Sequence, residues 1–125
     1  WNPLRLADKY ANLAENFVRH EDLRRGGGEY VPRDLPQSAR DDLWKAVSKM
    51  AKFFLRSSTI HVVLERSDAA ASAVVRAGAD STDEVRVSGE AGELLLWLYG
   101  RDGAVDVVLN PADEDTTARI KRHVF

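Results

Sequence analysis

With 125 residues, 44% of them hydrophobic and 30% charged, the chain has the length and balance of one globular domain plus at most an appendage, and not of a disordered segment. Its 18 basic and 20 acidic residues are spread along the sequence and leave a formal net charge of -2, so no electrostatic footprint for nucleic acid or an anionic membrane stands out. The absence of cysteine excludes disulfides, thiolate metal sites and a cysteine nucleophile and fits a reducing cytoplasm, while no stretch approaches the roughly 20 apolar residues of a membrane span.

Trp1, not Met, stands first, which reads as a start inside a longer reading frame, and no signal-peptide pattern follows it. From Leu6 to about Arg25, apolar residues recur at Leu6, Tyr10, Leu13 and Phe17, the spacing of one helix face. Gly26, Gly27 and Gly28 stop that helix, and Pro32 and Pro36 keep the next stretch irregular, so residues 26–37 read as a linker. A second helix is expected near Ser38, where Ser38 and Asp41 have capping-box character and Leu43, Val47, Met50 and Phe54 form a stripe widened by Trp44, Ala51 and Leu55.

After Ser57 and Ser58 the period changes to two. In TIHVVLER, Ile60, Val62 and Leu64 point one way and His61, Val63 and Glu65 the other, which is a strand. ASAVVRA and EVRVSG give two more strands, and three short strands in succession predict an antiparallel meander. EAGELLLWLYG, with Leu94, Leu95, Leu96, Trp97 and Leu98 unbroken, predicts a helix sandwiched between layers, capped by Gly100. AVDVVL is a fourth strand, and Asn110 followed by Pro111 predicts the start of a last helix ending near Phe125. The expected fold is therefore α+β: an antiparallel sheet of about four strands packed by helices.

Four segments, WNPLRL, AENFVRHEDLRR, VPRDLP leading into LWKAVSKMAKFFLR, and VSGEAGELLLWLYGR, together resemble actinobacterial metal-binding proteins related to mycothiol-dependent maleylpyruvate isomerase. The resemblance covers nearly the whole chain and matches its C-terminal part. It implies an N-terminal DinB-like four-helix bundle holding a divalent metal, usually zinc, followed by a sterol-carrier-like α+β domain. Residues 1–25 would be the last helix of that bundle, residues 26–37 the linker and residues 38–125 the C-terminal domain. Implied partners are the bundle's missing helices, from the same protein, and a small-molecule thiol, mycothiol.

In that family's pattern the last bundle helix carries Glu, then His four residues on, then Asp three further. Glu15 and Asp22 match the outer positions, but Arg19 stands where the ligand His is expected. At about 100° per residue, positions 15, 19 and 22 fall within roughly 60° on one face, so they form a cluster. A guanidinium has no free lone pair and repels a cation, so Arg19 argues against a metal there. Two readings follow: an intrahelical ion cluster, or a fixed cation that replaces the metal's charge.

The candidate metal ligands are Glu15 and His20, although five residues separate them and put His20 about 140° around the helix. His20 fits three roles: a packing histidine beside Asn16 at the edge of the apolar stripe, a ligand, or a solvated side chain. Arg24 and Arg25 suit the negative end of the helix dipole, and the pair would also attract a thiol cofactor's carboxylates. His61 and His123 have no acid–base partner at useful spacing, no Ser lies in a nucleophile-elbow motif, and Arg101 reads as architecture at a helix exit or, alternatively, as a ligand-binding residue.

Two functions compete on these grounds. One is the C-terminal portion of a metal-binding, mycothiol-dependent isomerase or transferase, inactive as an isolated chain because at most two ligands are present. The other is a non-enzymatic binding or scaffolding module with an apolar groove, with Trp44, Phe53, Phe54, Trp97 and Tyr99 as candidate walls or, alternatively, as ordinary core.

Overall fold

The computed structural model describes residues 8–28, 30–31, 33–71 and 73–122. Helix α1 spans Asp8–Arg25, α2 Gln37–Phe54, and strands β1, β2 and β3 span His61–Arg66, Ala73–Gly78 and Glu84–Gly89. Helix α3 (Ala91–Leu98), a single 3₁₀ turn (Asp102–Ala104), β4 (Val107–Asn110) and a short α4 (Glu114–Ala118) follow among the described residues. The class is α+β, as composition and periodicity predict. Leu6, His123 and Phe125, which bear on the expected helix ends, lie outside the described residues.

The sheet order is β2-β1-β3-β4, with β1 and β3 parallel and the other two ladders antiparallel. This corrects the antiparallel meander. Gly78, at φ 80°, and the bond from Ala79 N to Ile60 O (3.2 Å) turn the chain beneath the start of β1. Asp83 O then accepts His61 N at 3.1 Å, so β3 begins level with His61 on the far side of β1. Having partners on both edges, β1 is buried at Val62, Val63 and Leu64 alike.

Alternation places Val62, Leu64, Val75, Ala77, Val85, Val87, Val107 and Leu109 toward the helices. They share one core with Leu43, Ala46, Val47, Met50, Ala51 and Phe54 of α2 and with Ala91, Leu94, Leu95, Leu96, Trp97 and Leu98 of α3. Phe54 meets Tyr99 edge-on at 4.9 Å between ring centroids. Outside, Val63 lies in register between Arg76 and Arg86, whose long apolar stems shield it, and the exposed face carries the pairs Arg86 with Glu65 and Arg76 with Glu84.

Two expected caps are replaced. Ser38 makes no cap bond, since α2 begins after Pro36, and Asp41 instead receives Gln37 Nε2 at 3.0 Å and Arg66 Nη2 at 3.1 Å. At the other end Asn110 still pairs with Arg86 in the sheet, so α4 starts later, capped by Asp113, whose carboxylate accepts Thr116 N at 2.7 Å, and it ends at Ala118, short of the expected end near Phe125. Gly100, at φ 83°, does end α3 as expected: Gly100 N donates to Trp97 O and Arg101 N to Leu96 O, a Schellman closure.

A methyl group at position 78 would sit 2.5 Å from Ile60 O at a positive φ, whereas at Gly27 nothing lies within 4 Å. Gly78→Ala is expected to lose about 2–4 kcal/mol in urea denaturation, and Gly27→Ala to stay within about 0.5 kcal/mol of the parent.

Candidate functional site

The deepest face of α1 is Ala14, Val18, Glu21 and Arg25, a helical stripe one position on from the predicted one. Tyr10, Leu13 and Phe17 flank it, half-buried. Ala14 and Val18 join the core shared with α2 and α3, and Glu21 and Arg25 are buried charges. Burying charge is tolerable only with partners, and here the partners are close.

Arg25 reaches across to α3 and donates from Nη1 and Nη2 to the two carboxylate oxygens of Glu93, each at 2.8 Å. Its Nε donates to Glu21 Oε1 at 3.1 Å, and its guanidinium stacks over Tyr30, 4.3 Å from the ring centroid. Glu93 also accepts Asp106 N at 3.0 Å. Arg24 donates to Glu21 Oε1 at 2.7 Å, and Arg33 Nε lies 2.8 Å from Glu21 Oε2, off the line of a hydrogen bond, so the contact is a pure ion pair. Arg24 also holds Val31 O, and Arg33 lies over Phe17, so both positions after α1 are tied back to that helix.

Burial opposes ionisation of Glu21, but the Arg24 hydrogen bond and the charges of Arg33, Arg24 and Arg25 outweigh it and hold its carboxyl below the usual range. Burial likewise opposes the charge on Arg25, and Glu93 and Glu21 more than restore it. The space beside this network is about 20 Å³, room for a water and not for a substrate. Its chemistry is that of a fastening.

The predicted site residues separate. Glu15, Arg19 and His20 are exposed, and Asp22 pairs not with Arg19 but with Arg101, through Nε at 3.2 Å and Nη2 at 2.9 Å. The intrahelical cluster is therefore corrected: Asp22 turns to the exit of α3, where Arg101 also donates to Tyr99 O. His20 is likewise not a packing histidine, because the buried stripe runs on the other side of the helix. Glu15 and His20 do not converge, and among the described residues no group of three or more His, Asp or Glu side chains is placed to hold a metal. The residues present do not by themselves fit zinc.

Nearby Tyr99 has its hydroxyl pushed up to about 12, by burial first and the Glu15 charge second, so it stays neutral. His61 sets Nδ1 3.1 Å from Ala79 O and borders a broad cleft with Lys52, Arg56 and Arg76, and His123 lies outside the described residues.

A second concavity, about 270 Å³, opens between α3, β4 and α4. Trp97, Val105, Val107, Leu109, Thr117 and Ile120 line it, and Asp102 and Arg122 stand at its mouth. Of the five expected groove walls only Trp97 is there: Phe54 and Tyr99 are core, Phe53 packs beside Phe54 and under Arg56, and Trp44 lies under Arg66. The Glu21, Arg25 and Glu93 network had one legible signal, a Glu at the head of the chain's run of Leu94 to Leu98, where a buried carboxylate demands a partner.

Comparison with known proteins finds no matching family model, curated protein or solved structure.

Glu93→Gln takes the bidentate carboxylate from buried Arg25 and leaves it to share Glu21 with Arg24 and Arg33, and is expected to lose about 3–5 kcal/mol by chemical denaturation, while the double change Arg25→Met with Glu93→Met loses less. Because Glu21 titrates below its ordinary 4.5, its ionised form stabilises the fold above that pH and the contribution fades as pH falls through the lowered value. The acid limb of a stability-versus-pH curve should flatten in Glu21→Gln; an unchanged limb would refute the assignment.

Proposed function

We propose that this chain is the C-terminal portion of a metal-binding, mycothiol-dependent protein of isomerase or transferase type, working in a reducing cytoplasm and without turnover by itself. Its part is to fix α1 and offer that helix's free side to the remaining helices of a DinB-like bundle. The observation that supports this is the division of α1. One face is locked into the core through Arg25 and Glu93, and its flank is tied by Asp22 to Arg101. The rest, with Asn12, Glu15, Asn16, Arg19, His20 and an 80% exposed Leu23, is left for other elements to cover.

In that assembly Glu15 and His20 are the two metal-ligand candidates of this chain, with Arg19 the alternative, a fixed cation in place of a metal. A zinc site of this type needs three protein ligands and an open position, which two divergent side chains do not supply.

A second reading, a non-enzymatic module that binds an apolar ligand, is favoured by the cavity beside Trp97. The two are separable. The isolated chain is expected to carry no stoichiometric zinc by elemental analysis and no mycothiol-dependent turnover, and the protein extended upstream by its bundle is expected to show the turnover. Mycothiol-dependent turnover by the isolated chain would overturn the first reading, and one zinc per extended chain would eliminate the Arg19 substitution.

A further inference from the structure

Among the described residues, the sheet beside Trp97 is incompletely covered. Val107 and Leu109 point to the same side of the sheet as Val85 and Val87, but the latter are completely buried and the former only half. Helix α3 ends at Leu98, so over β4 its last turn supplies Trp97, and Ile120 closes the far wall. Apart from Thr117, the interior lining among the described residues is apolar.

The mouth is charged and its two charges are unequal. Arg122 is held by contacts independent of its carboxylate partner: it stacks over Trp97, 4.7 Å from the ring centroid, and donates to Trp97 O at 2.7 Å. Its side chain is 18% exposed, that of Asp102 60%, so the cation is the inner member of the pair. Asp102 sits on one 3₁₀ turn beside Gly103, which has open space around it, and receives Nη2 of Arg122 at 2.7 Å. A fixed guanidinium with an exchangeable carboxylate at the rim of an apolar cavity has the chemistry of an acid-binding site, because bidentate guanidinium–carboxylate recognition is preserved when one carboxylate replaces another.

We infer that this cavity binds a small monocarboxylate with an apolar body, its carboxylate displacing Asp102 from Arg122 and its body lying between Trp97, Val107, Leu109 and Ile120. The inference rests on the ligand-binding reading above and adds the ligand's class and the residue that selects it.

Calorimetric titration of the 125-residue chain with octanoate, octan-1-ol and octylamine tests it. Octanoate is expected to bind saturably and about tenfold more tightly than octan-1-ol, with octylamine weakest. Asp102→Asn, an exposed change, is expected to tighten octanoate by removing its competitor. Arg122→Gln, checked for an unchanged far-ultraviolet spectrum, is expected to bring octanoate down to the alcohol while leaving the alcohol unaltered. Val107→Trp fills the cavity and should abolish both.

Equal binding of acid and alcohol, indifferent to Arg122→Gln and Asp102→Asn, would overturn the carboxylate assignment and leave the apolar-ligand reading standing. Tightest binding of octylamine would overturn it too. Binding by none of the three would overturn both. Binding seen only in a chain ending at Arg122 would assign the cavity to the chain's own last residues and overturn the inference.

Discussion

Glu93 sits in a helix whose eight residues are all buried, and a carboxylate in that position must be answered by a positive charge with little help from water. Arg25 answers it from the end of α1 with two parallel hydrogen bonds. The pairing fixes how α1 is rotated about its axis. With Arg25 inward, positions 14, 18 and 21 follow it in by helical spacing, and positions 15, 19 and 20 turn out. It fixes the following segment as well: Tyr30 lies under the Arg25 guanidinium, and Arg33 returns to Glu21. A stretch rich in Gly and Pro thereby becomes a strap over a charged seam.

The same carboxylate faces the other way. Glu93 Oε1 accepts Asp106 N, and Asp106 lies between Val105 and Val107, two walls of the apolar cavity. One turn along α3 from Glu93 is Trp97, another wall. One side chain therefore bonds both α1 and the segment that walls the cavity, although no residue of α1 lines the cavity among the described residues. Gly92 belongs to the same arrangement: a methyl group there would meet the tip of the Phe17 ring at 2.8 Å, so that ring of α1 rests where position 92 has no side chain.

Periodicity made much of the fold legible, and its failures have physical causes. The α2 stripe, the strand cores of β1 to β3 and the α3 run with Gly100 were readable because each is set by local alternation or by one turn residue. The parallel pairing of β1 with β3 was not, because it depends on which side of β1 a five-residue connection passes, and Gly78 signals a turn without signalling its direction. In α1 the apolar count favoured Tyr10, Leu13 and Phe17, and a stripe ending in Glu21 and Arg25 is invisible to a hydrophobicity reading. The candidate site suffered the same way: Asp22 resembled a member of a cluster with Glu15 and Arg19 until Arg101, distant in sequence, came within reach.

Charge placement separates fastening from recognition in this molecule. Arg25, Glu21 and Glu93 are buried and paired with one another beside a space of about 20 Å³, so they hold elements together. Arg122 has the same bidentate geometry toward a carboxylate, but at the mouth of about 270 Å³ of mostly apolar space and with a partner mostly in water. An ion pair of the first kind is costly to open because both charges lose their environment together. One of the second kind exchanges readily, since water takes up the released carboxylate and the incoming one keeps the guanidinium satisfied. Burial, more than residue type, therefore decides which arginine of this chain meets a ligand.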